Sequence, residues 1–347
     1  MDIDEINNLQ DPLELPDEER ELYEHFRIVV DKGQAQTRID KFLADRIGGS
    51  VSRNRIQNAA RADCILVNDK PVKPNYKIKP LDEIVIVLPE PPHELEILPE
   101  DIPVSIVYED DQLAVIDKEA GMVVHPGFNN FDHTLVNALL FHFSKGKDKP
   151  HFPLLVHRID KDTSGLLLVA KEEYAQTFLA KQFFDHTTDR LYRALVWGNF
   201  DDDSGTVTGY LARSTRDRRM MAVYDSEEEG KWSVTHYKVI ERFGFATLIE
   251  CRLETGRTHQ IRAHMKHIGH PLFADEMYGG MTIVKGNPTT RFKQFIDNCF
   301  AIMSRQALHA AVLGFIHPAT GEHLYFESPV PADFAALLEK IRKSFKA

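Results

Sequence analysis

The 347-residue chain has no apolar run of the roughly 18–20 residues that a membrane-spanning helix needs. Its opening residues, MDIDEINNLQ, lack a basic segment followed by an apolar one. The expectation is therefore a cytoplasmic protein with neither signal peptide nor membrane anchor. Cysteine is scarce: Cys64, Cys251 and Cys299 are odd in number and far apart, which excludes a disulfide framework and a CxxC metal site. There is no Walker-type phosphate loop, no HExxH helix for zinc and no repeat of regular period. What is present is ordinary globular material, with 43% hydrophobic residues and room for two or three domains.

Net charge is −11, but it is unevenly spread. Residues 1–24 hold ten acidic groups and one arginine, and they lack apolar periodicity. Residues 1–30 therefore read as an acidic mobile tail. Residues 32–80 hold eleven Lys or Arg against four Asp. A local basic module on an acidic chain is compatible with binding nucleic acid, because phosphates respond to the local field. Within it, RIDKFLADRIGGSVSRNRIQNAAR predicts two helices around Gly48–Gly49, with Ile39, Phe42, Leu43 and Ile47 at helical spacing. CILVNDKPV predicts a strand entering an Asn-Asp turn, and DEIVIVLP another strand. Residues 89–103 contain five prolines and no glycine, so a semi-rigid linker is expected there.

Beyond the linker, strand-like and helix-like segments do not alternate regularly. This pattern favours an α+β domain with a largely antiparallel or mixed sheet over residues 104–347. Four of its segments are candidates for carrying chemistry. VHRIDKDTSGLLLVAK places Asp160 and Asp162 ahead of an apolar run. DTSG is close to the Asp-Thr-Gly of aspartic proteases, but Ser164 interrupts it and no second carboxylate loop exists to share the proton. A plain turn before a buried strand accounts for this stretch equally well.

LETGRTHQIRAHMKHIGHPLFADEMYGG packs Arg257, His259, Gln260, Arg262, His264, His267 and His270 into one segment, with Asp275 and Glu276 beyond as acids that could complete a metal site. On one helix these histidines would not all share a face, which weakens a metal reading. Arginines at this density suit an oxyanion or a buried carboxylate better. LHAAVLGFIHPATGEHLYFESPVP reads as two strands joined by a Pro-Ala-Thr-Gly turn. RLYRALVWG places Tyr192 in an otherwise apolar strand, where a tyrosine is usually core.

Taken together these segments resemble the RluA-type pseudouridine synthase family. HRIDKDTSG, GRTHQIRAH and LHAAVLGFIHPATGE match its signatures in the same order, and LAVIDKEAGMVVHPG resembles the strand that precedes its first helix. Glu119 stands where the family usually has Pro, and Ala274 where Gly is often seen before Asp275. Residues 31–88 resemble the alpha-L RNA-binding module named after small-subunit ribosomal protein four.

The resemblance implies isomerisation of uridine to its C-glycoside within RNA, in a central RNA-binding cleft. It implies no cofactor and no metal, and a monomer is the default. Asp160 would be the catalytic carboxylate and Arg262 the cation that keeps it ionised, with Arg257 as fallback. Tyr192 would contact the target uracil and Leu308 would form part of its wall. Arg158 would fill the gap left by the flipped uridine, while Arg257 and His259 would line the substrate site. Asp162 would orient the turn, and His157 would be structural or touch phosphate. Arg53, Arg55, Arg61, Lys70 and Lys73 would hold RNA phosphates. With this module on such a catalytic domain, the chain most resembles the members that act on large-subunit ribosomal RNA. Transfer-RNA enzymes share the catalytic motifs, and a non-catalytic ribosome-assembly factor on the same fold is the alternative from another class.

Overall fold

The computed structural model describes residues 23–47, 53–88, 97–126, 132–217, 219–287 and 289–345. The acidic tail through residue 22, the Gly48–Gly49 break and the first part of the proline-rich stretch lie outside the described residues. The chain divides into two units, one ending at Glu96 and the other beginning at Ile97.

The first unit runs β1 (Tyr23–Val29), α1 (Ile39–Ile47), α2 (Arg53–Arg61), β2 (Ile65–Val67), β3 (Lys70–Pro71) and β4 (Glu83–Leu88). Its sheet has the order β1-β4-β2-β3 and is antiparallel throughout. Ile39, Phe42 and Leu43 of α1 and Ile56 and Ala60 of α2 are buried on Ile65, Ile78 and Ile84, so the helical spacing read from the sequence is the core face. The Asn-Asp turn closes the β2–β3 hairpin with both residues left-handed, at φ 49° and 62°. That is the backbone a two-residue hairpin turn requires. Strand β1 corrects the tail: Tyr23–Val29, grouped above with the acidic segment, pairs antiparallel with β4.

The second unit contains β5 (Ser105–Glu109), β6 (Leu113–Lys118), α3 (Leu135–Ser144), β7 (Leu154–Leu155), β8 (Ser164–Ala170), α4 (Glu173–Phe184) and β9 (Asp189–Trp197). It continues through β10 (Ser204–Arg213), β11 (Met221–Tyr224), β12 (Lys231–Arg242), β13 (Ala246–Leu253) and α5 (Gln260–His267). It ends with α6 (Thr290–Ile302), β14 (Leu308–Ile316), β15 (His323–Glu327) and α7 (Ala332–Phe345). The linker expected over 89–103 is also corrected, because its later residues are tied to this unit. The Asn137 side chain donates to the Leu98 carbonyl at 2.8 Å, and the His133 amide donates to Glu100 at 2.8 Å.

All these strands join one mixed sheet of 11 strands, with a main path β11-β10-β12-β13-β9-β14-β8-β6-β5. β8 and β14 pair in parallel and the remaining pairs are antiparallel. The α+β architecture with a mixed, mostly antiparallel sheet is thus the one observed.

Both faces of the sheet are covered, and strand alternation sorts the residues between them. On β9, Tyr192, Ala194 and Val196 face a core shared with α3 and α5, while Leu195 and Trp197 face one shared with α6 and α7. On β8, Leu167 and Val169 take the first face, and Leu166 and Leu168 pack towards α4 on the other. Every residue of β8 is buried, so its near-continuous apolar run reflects two covered faces. Gly165 sets its entry. At φ 110° a side chain is strained, and a Cβ there would sit 2.2 Å from the Ala310 carbonyl oxygen of β14. Glycine is what allows the parallel strands to meet immediately after the Asp160 turn.

Candidate active site

The turn at residues 160–163 is held from several sides. The Thr163 amide donates to the Asp160 carbonyl at 3.1 Å, and the Gly121 amide donates to the Lys161 carbonyl at 2.9 Å. Arg305 donates to the Asp162 carbonyl at 2.9 Å while its fork grips Asp333. Lys118 is buried beneath the turn, and its ammonium donates to the carbonyls of Glu119, Met122 and Lys161 at 2.7, 2.9 and 2.9 Å. Burial pulls the Lys118 pKa down to about 8, although the charges of Asp162 and Asp160 oppose the shift. The turn-orienting role expected of Asp162 is therefore shared differently. Its backbone is clamped by Arg305, and its carboxylate is a counter-charge for Lys118.

At the edge of this turn the Asp160 side chain is 23% exposed, and its Oδ2 accepts from Arg262 Nη1 at 3.0 Å. Arg262 is nearly buried and is itself gripped by a fully buried carboxylate. Asp275 accepts from its Nε at 2.7 Å and its Nη2 at 2.9 Å. Burial alone would lower the arginine's pKa, yet the bonds and charges of Asp275 and Asp160 raise it above the ordinary value. Its guanidinium lies 4.8 Å over the Tyr278 ring. The result is a row, Asp160–Arg262–Asp275, in which the outer carboxylate faces a cleft and the inner one anchors the cation.

The loop carrying Asp275 explains the substitution at Ala274. Ala274 adopts φ 60°, a conformation glycine takes without strain, and its amide is held by the Gly280 carbonyl at 3.0 Å. Neither the place of Asp275 behind Arg262 nor any role for Tyr278 is expected from the sequence. Asp275 entered only as a possible metal ligand, and the signal available was an acid near a string of basic residues.

GRTHQIR forms the opposite wall. Gln260 is buried and uses its whole amide. It donates to the Val234 carbonyl at 2.9 Å and Thr235 Oγ1 at 3.0 Å, and accepts from Thr255 Oγ1 at 2.8 Å and the Arg257 amide at 3.0 Å. This locks His259 in a left-handed conformation at φ 53°, directly before α5. His259 Nδ1 lies 3.0 Å from the Tyr278 hydroxyl, which accepts from the Met221 amide at 2.8 Å. The hydroxyl proton is then available to Nδ1, leaving an Nε2 proton facing Asp160 Oδ2 at 3.9 Å. Burial lowers the pKa of His259, opposed by the charge of Asp160.

The other histidines disperse. His264 is fully buried between Ser233 and Thr235, each 2.9 Å from a ring nitrogen, and His270 stacks on Phe200 at 4.1 Å. His157 Nε2 accepts from the Leu168 amide at 2.9 Å while its ring stacks on Phe183, a structural placement. Among the described residues no group of three His, Cys, Asp or Glu could hold a metal ion.

Burial pushes the His264 pKa down to about 4 from 6.5. Its contribution to stability is then fully present above pH 6.5 and is lost as pH falls towards 4, amounting to about 3 kcal/mol. Urea unfolding of wild type and His264→Gln at pH 7 and about pH 4.5 checks this. The variant is expected to lose less stability on acidification, and equal losses would place the acid sensitivity elsewhere.

The structure gathers Arg158, Asp160, Tyr192, Arg257, His259, Arg262 and Leu308 on one cleft of about 590 Å³. Tyr192 and Leu308 are buried at 9% and 4% exposure and give it an apolar floor, and burial raises the Tyr192 pKa. Arg158 and Arg257 are exposed at its rim.

In the first unit, Arg53, Arg61, Lys70 and Lys73 are all exposed, and the side chain of Arg55 lies outside the described residues. Arg53 is shared with protein: it and Arg38 donate to the buried Asp40, whose pKa is held down at about 2 despite the opposing effect of burial. Lys73 lies 3.5 Å from Asp63.

A family model described as RNA pseudouridylate synthase matches residues 112–267, and one described as the S4 domain matches residues 37–84. An uncharacterized RNA pseudouridine synthase of Chlorobaculum parvum is 46% identical over 318 residues, covering 90% of this chain and 96% of the relative. The chain belongs to the RNA pseudouridine synthase family. The ribosomal large subunit pseudouridine synthase D of Zymomonas mobilis is 45% identical, covering 88% of this chain and 93% of that one. Among solved structures, human RNA pseudouridylate synthase domain containing 1 superposes with a TM-score of 0.51 at 26% identity, covering 69% of this chain and 89% of that chain.

This synthase is an enzyme that converts uridine in RNA to pseudouridine, and it carries an RNA-binding S4 domain. No helix among its described residues is long and apolar enough to cross a membrane. The reaction breaks the N1–C1′ bond, turns the uracil and joins C5 to C1′. N1 gains a proton and C5 loses one, so the change is isomeric. A glycosidase uses a second carboxylate to direct water; here the departing uracil is itself the returning nucleophile, and no water has to be directed.

Proposed function

We propose that the synthase isomerises uridines of large-subunit ribosomal RNA in the cytoplasm, with Asp160 as the carboxylate that acts on the target nucleotide. The observation that carries the site assignment is the Asp160–Arg262–Asp275 row, which presents one carboxylate to a cleft floored by Tyr192 and Leu308. In this reading Tyr192 contacts the flipped uracil and Leu308 closes its apolar side. Arg158 occupies the vacated stack, and Arg257 and His259 contact the nucleotide from the opposite wall. The ribosomal target is supported by relatives named ribosomal large subunit pseudouridine synthase D at 39–45% identity. Incubating the purified chain with unmodified large-subunit ribosomal RNA and transfer RNA, then mapping pseudouridine chemically, tests the target. Conversion in the ribosomal transcript is expected, and conversion confined to transfer RNA would overturn it.

The S4 domain supplies phosphate contacts through Arg53, Arg55, Arg61, Lys70 and Lys73. Removing residues 1–96 is expected to weaken RNA binding and flatten its salt dependence, by about 0.7–0.9 in log–log slope for each phosphate lost. The remaining unit has its own sheet and cores and should stay folded. Filter binding over a salt series checks this; equal slopes for both chains would contradict it.

A further inference from the structure

We propose that Arg190 is a phosphate-binding residue of the catalytic cleft, taking a phosphodiester of the RNA beside the uridine being isomerised. It sits on β9 two positions before Tyr192. Side chains so spaced leave a strand on one face about 7 Å apart. Arg190 is only 6% exposed, and its guanidinium lies 5.2 Å over the Phe183 ring and lines the cleft.

What sets it apart is its lack of partners. Its Nε is buried with no hydrogen-bond partner, and Nη2 reaches the Glu254 carbonyl only at 3.4 Å. The adjacent carboxylates are engaged elsewhere: Asp189 with His323 at 3.1 Å and Glu254 with His236 at 2.7 Å. Arg262, Arg305 and Arg342, by contrast, each grip a carboxylate. Gly256 lies beside the group, and a Cβ there would come within 2.9 Å of Nη1, so bare backbone keeps the place of the guanidinium open.

A buried cation without a counter-ion is costly, and the cost disappears when a ligand brings the charge. A phosphodiester does so. Its single negative charge is spread over two non-bridging oxygens, which match the arginine fork in a bidentate pair. A uracil carbonyl would satisfy one donor and leave the charge unbalanced. The inference rests on the proposed reading that Tyr192 contacts the target base, since that places the flanking backbone one side-chain spacing along the strand.

Arg190→Met keeps the length of the side chain over Phe183 and removes the charge; Arg190→Lys keeps the charge. Full-chain melting is measured with sodium sulfate as probe, against sodium chloride at equal ionic strength. Arg190→Met is expected to melt no lower than wild type and to lose the extra stabilisation that sulfate gives. On the ribosomal transcript its kcat/KM should fall at least tenfold, with partial recovery in Arg190→Lys. Its log–log salt slope should be shallower by about 0.7–0.9, the worth of one phosphate. A Met variant that melts well below wild type with an unchanged sulfate response would make Arg190 a packing residue and overturn the proposal, as would unchanged kcat/KM and slope. The sulfate measurement needs no turnover, so a wrong RNA target would appear as inactive wild type while sulfate still decides the role of Arg190.

Discussion

Asp160→Asn is expected to lower pseudouridine formation by at least about 10³-fold, within the range for losing an essential acid–base or nucleophilic group. An amide can neither attack carbon nor take a proton at neutral pH, whichever of these the carboxylate does. The fold should hardly register the change. Asp160 is 23% exposed, so its charge is already partly solvated, and the asparagine oxygen can still accept from Arg262 Nη1 at 3.0 Å. Arg262 keeps Asp275 as its counter-ion. Stability should therefore stay within about 1 kcal/mol of wild type, the usual net worth of one weakened hydrogen bond. Single-turnover assays alongside thermal melting separate the two effects. Retained turnover, or collapse of the fold, would remove Asp160 from its assigned role.

Asp275→Ala is expected to have the largest effect on stability, about 3–5 kcal/mol, the usual cost of breaking a buried ion pair from one side. Asp275 is wholly buried and accepts three bonds, two from Arg262 and one from the Tyr278 amide at 3.1 Å. Removing it leaves a nearly buried guanidinium with Asp160 as its remaining carboxylate, and that arginine is then free to tilt. Turnover should fall at least tenfold even below the melting temperature, because Asp160 loses the fixed direction of its partner. Asp275→Asn keeps the shape and one acceptor, so it should fall between the two. Denaturant unfolding measures the first effect and kcat at low temperature the second. A loss below about 1 kcal/mol would show that the inner carboxylate is not what anchors Arg262.

The residues that the structure gathers on the cleft could be picked out through the family resemblance because the motifs that carry it are local. GRTHQIR is one turn and one helix start, and HRIDKDTSG one turn and one strand start, so residues that act together there are also close in sequence. What joins the two motifs is a contact across 102 residues, Arg262 to Asp160, which only the pairing of β9, β14 and β8 brings about. Asp275 was read as a possible metal ligand because acids near histidines suggest metals, whereas its position depends on a loop closed by Ala274 and Gly280. The same limit applies to β1. Its partner β4 lies far along the chain, and its charged neighbours hide the alternation, so the strand merges with an acidic tail. The helices α1 and α2 were readable because apolar spacing within one helix needs no distant partner. Arg190 looked like any basic strand residue; its missing counter-ion is visible only once the carboxylates around it are seen to be engaged elsewhere.

The most direct test of the central claim is chemical mapping of pseudouridine in large-subunit ribosomal RNA. The RNA would come from cells lacking the gene, complemented with wild type or with Asp160→Asn at equal protein level. Sites lost on deletion should return with wild type and stay absent with the Asp160→Asn chain. Their return with both chains would contradict the assignment of the chemistry to Asp160.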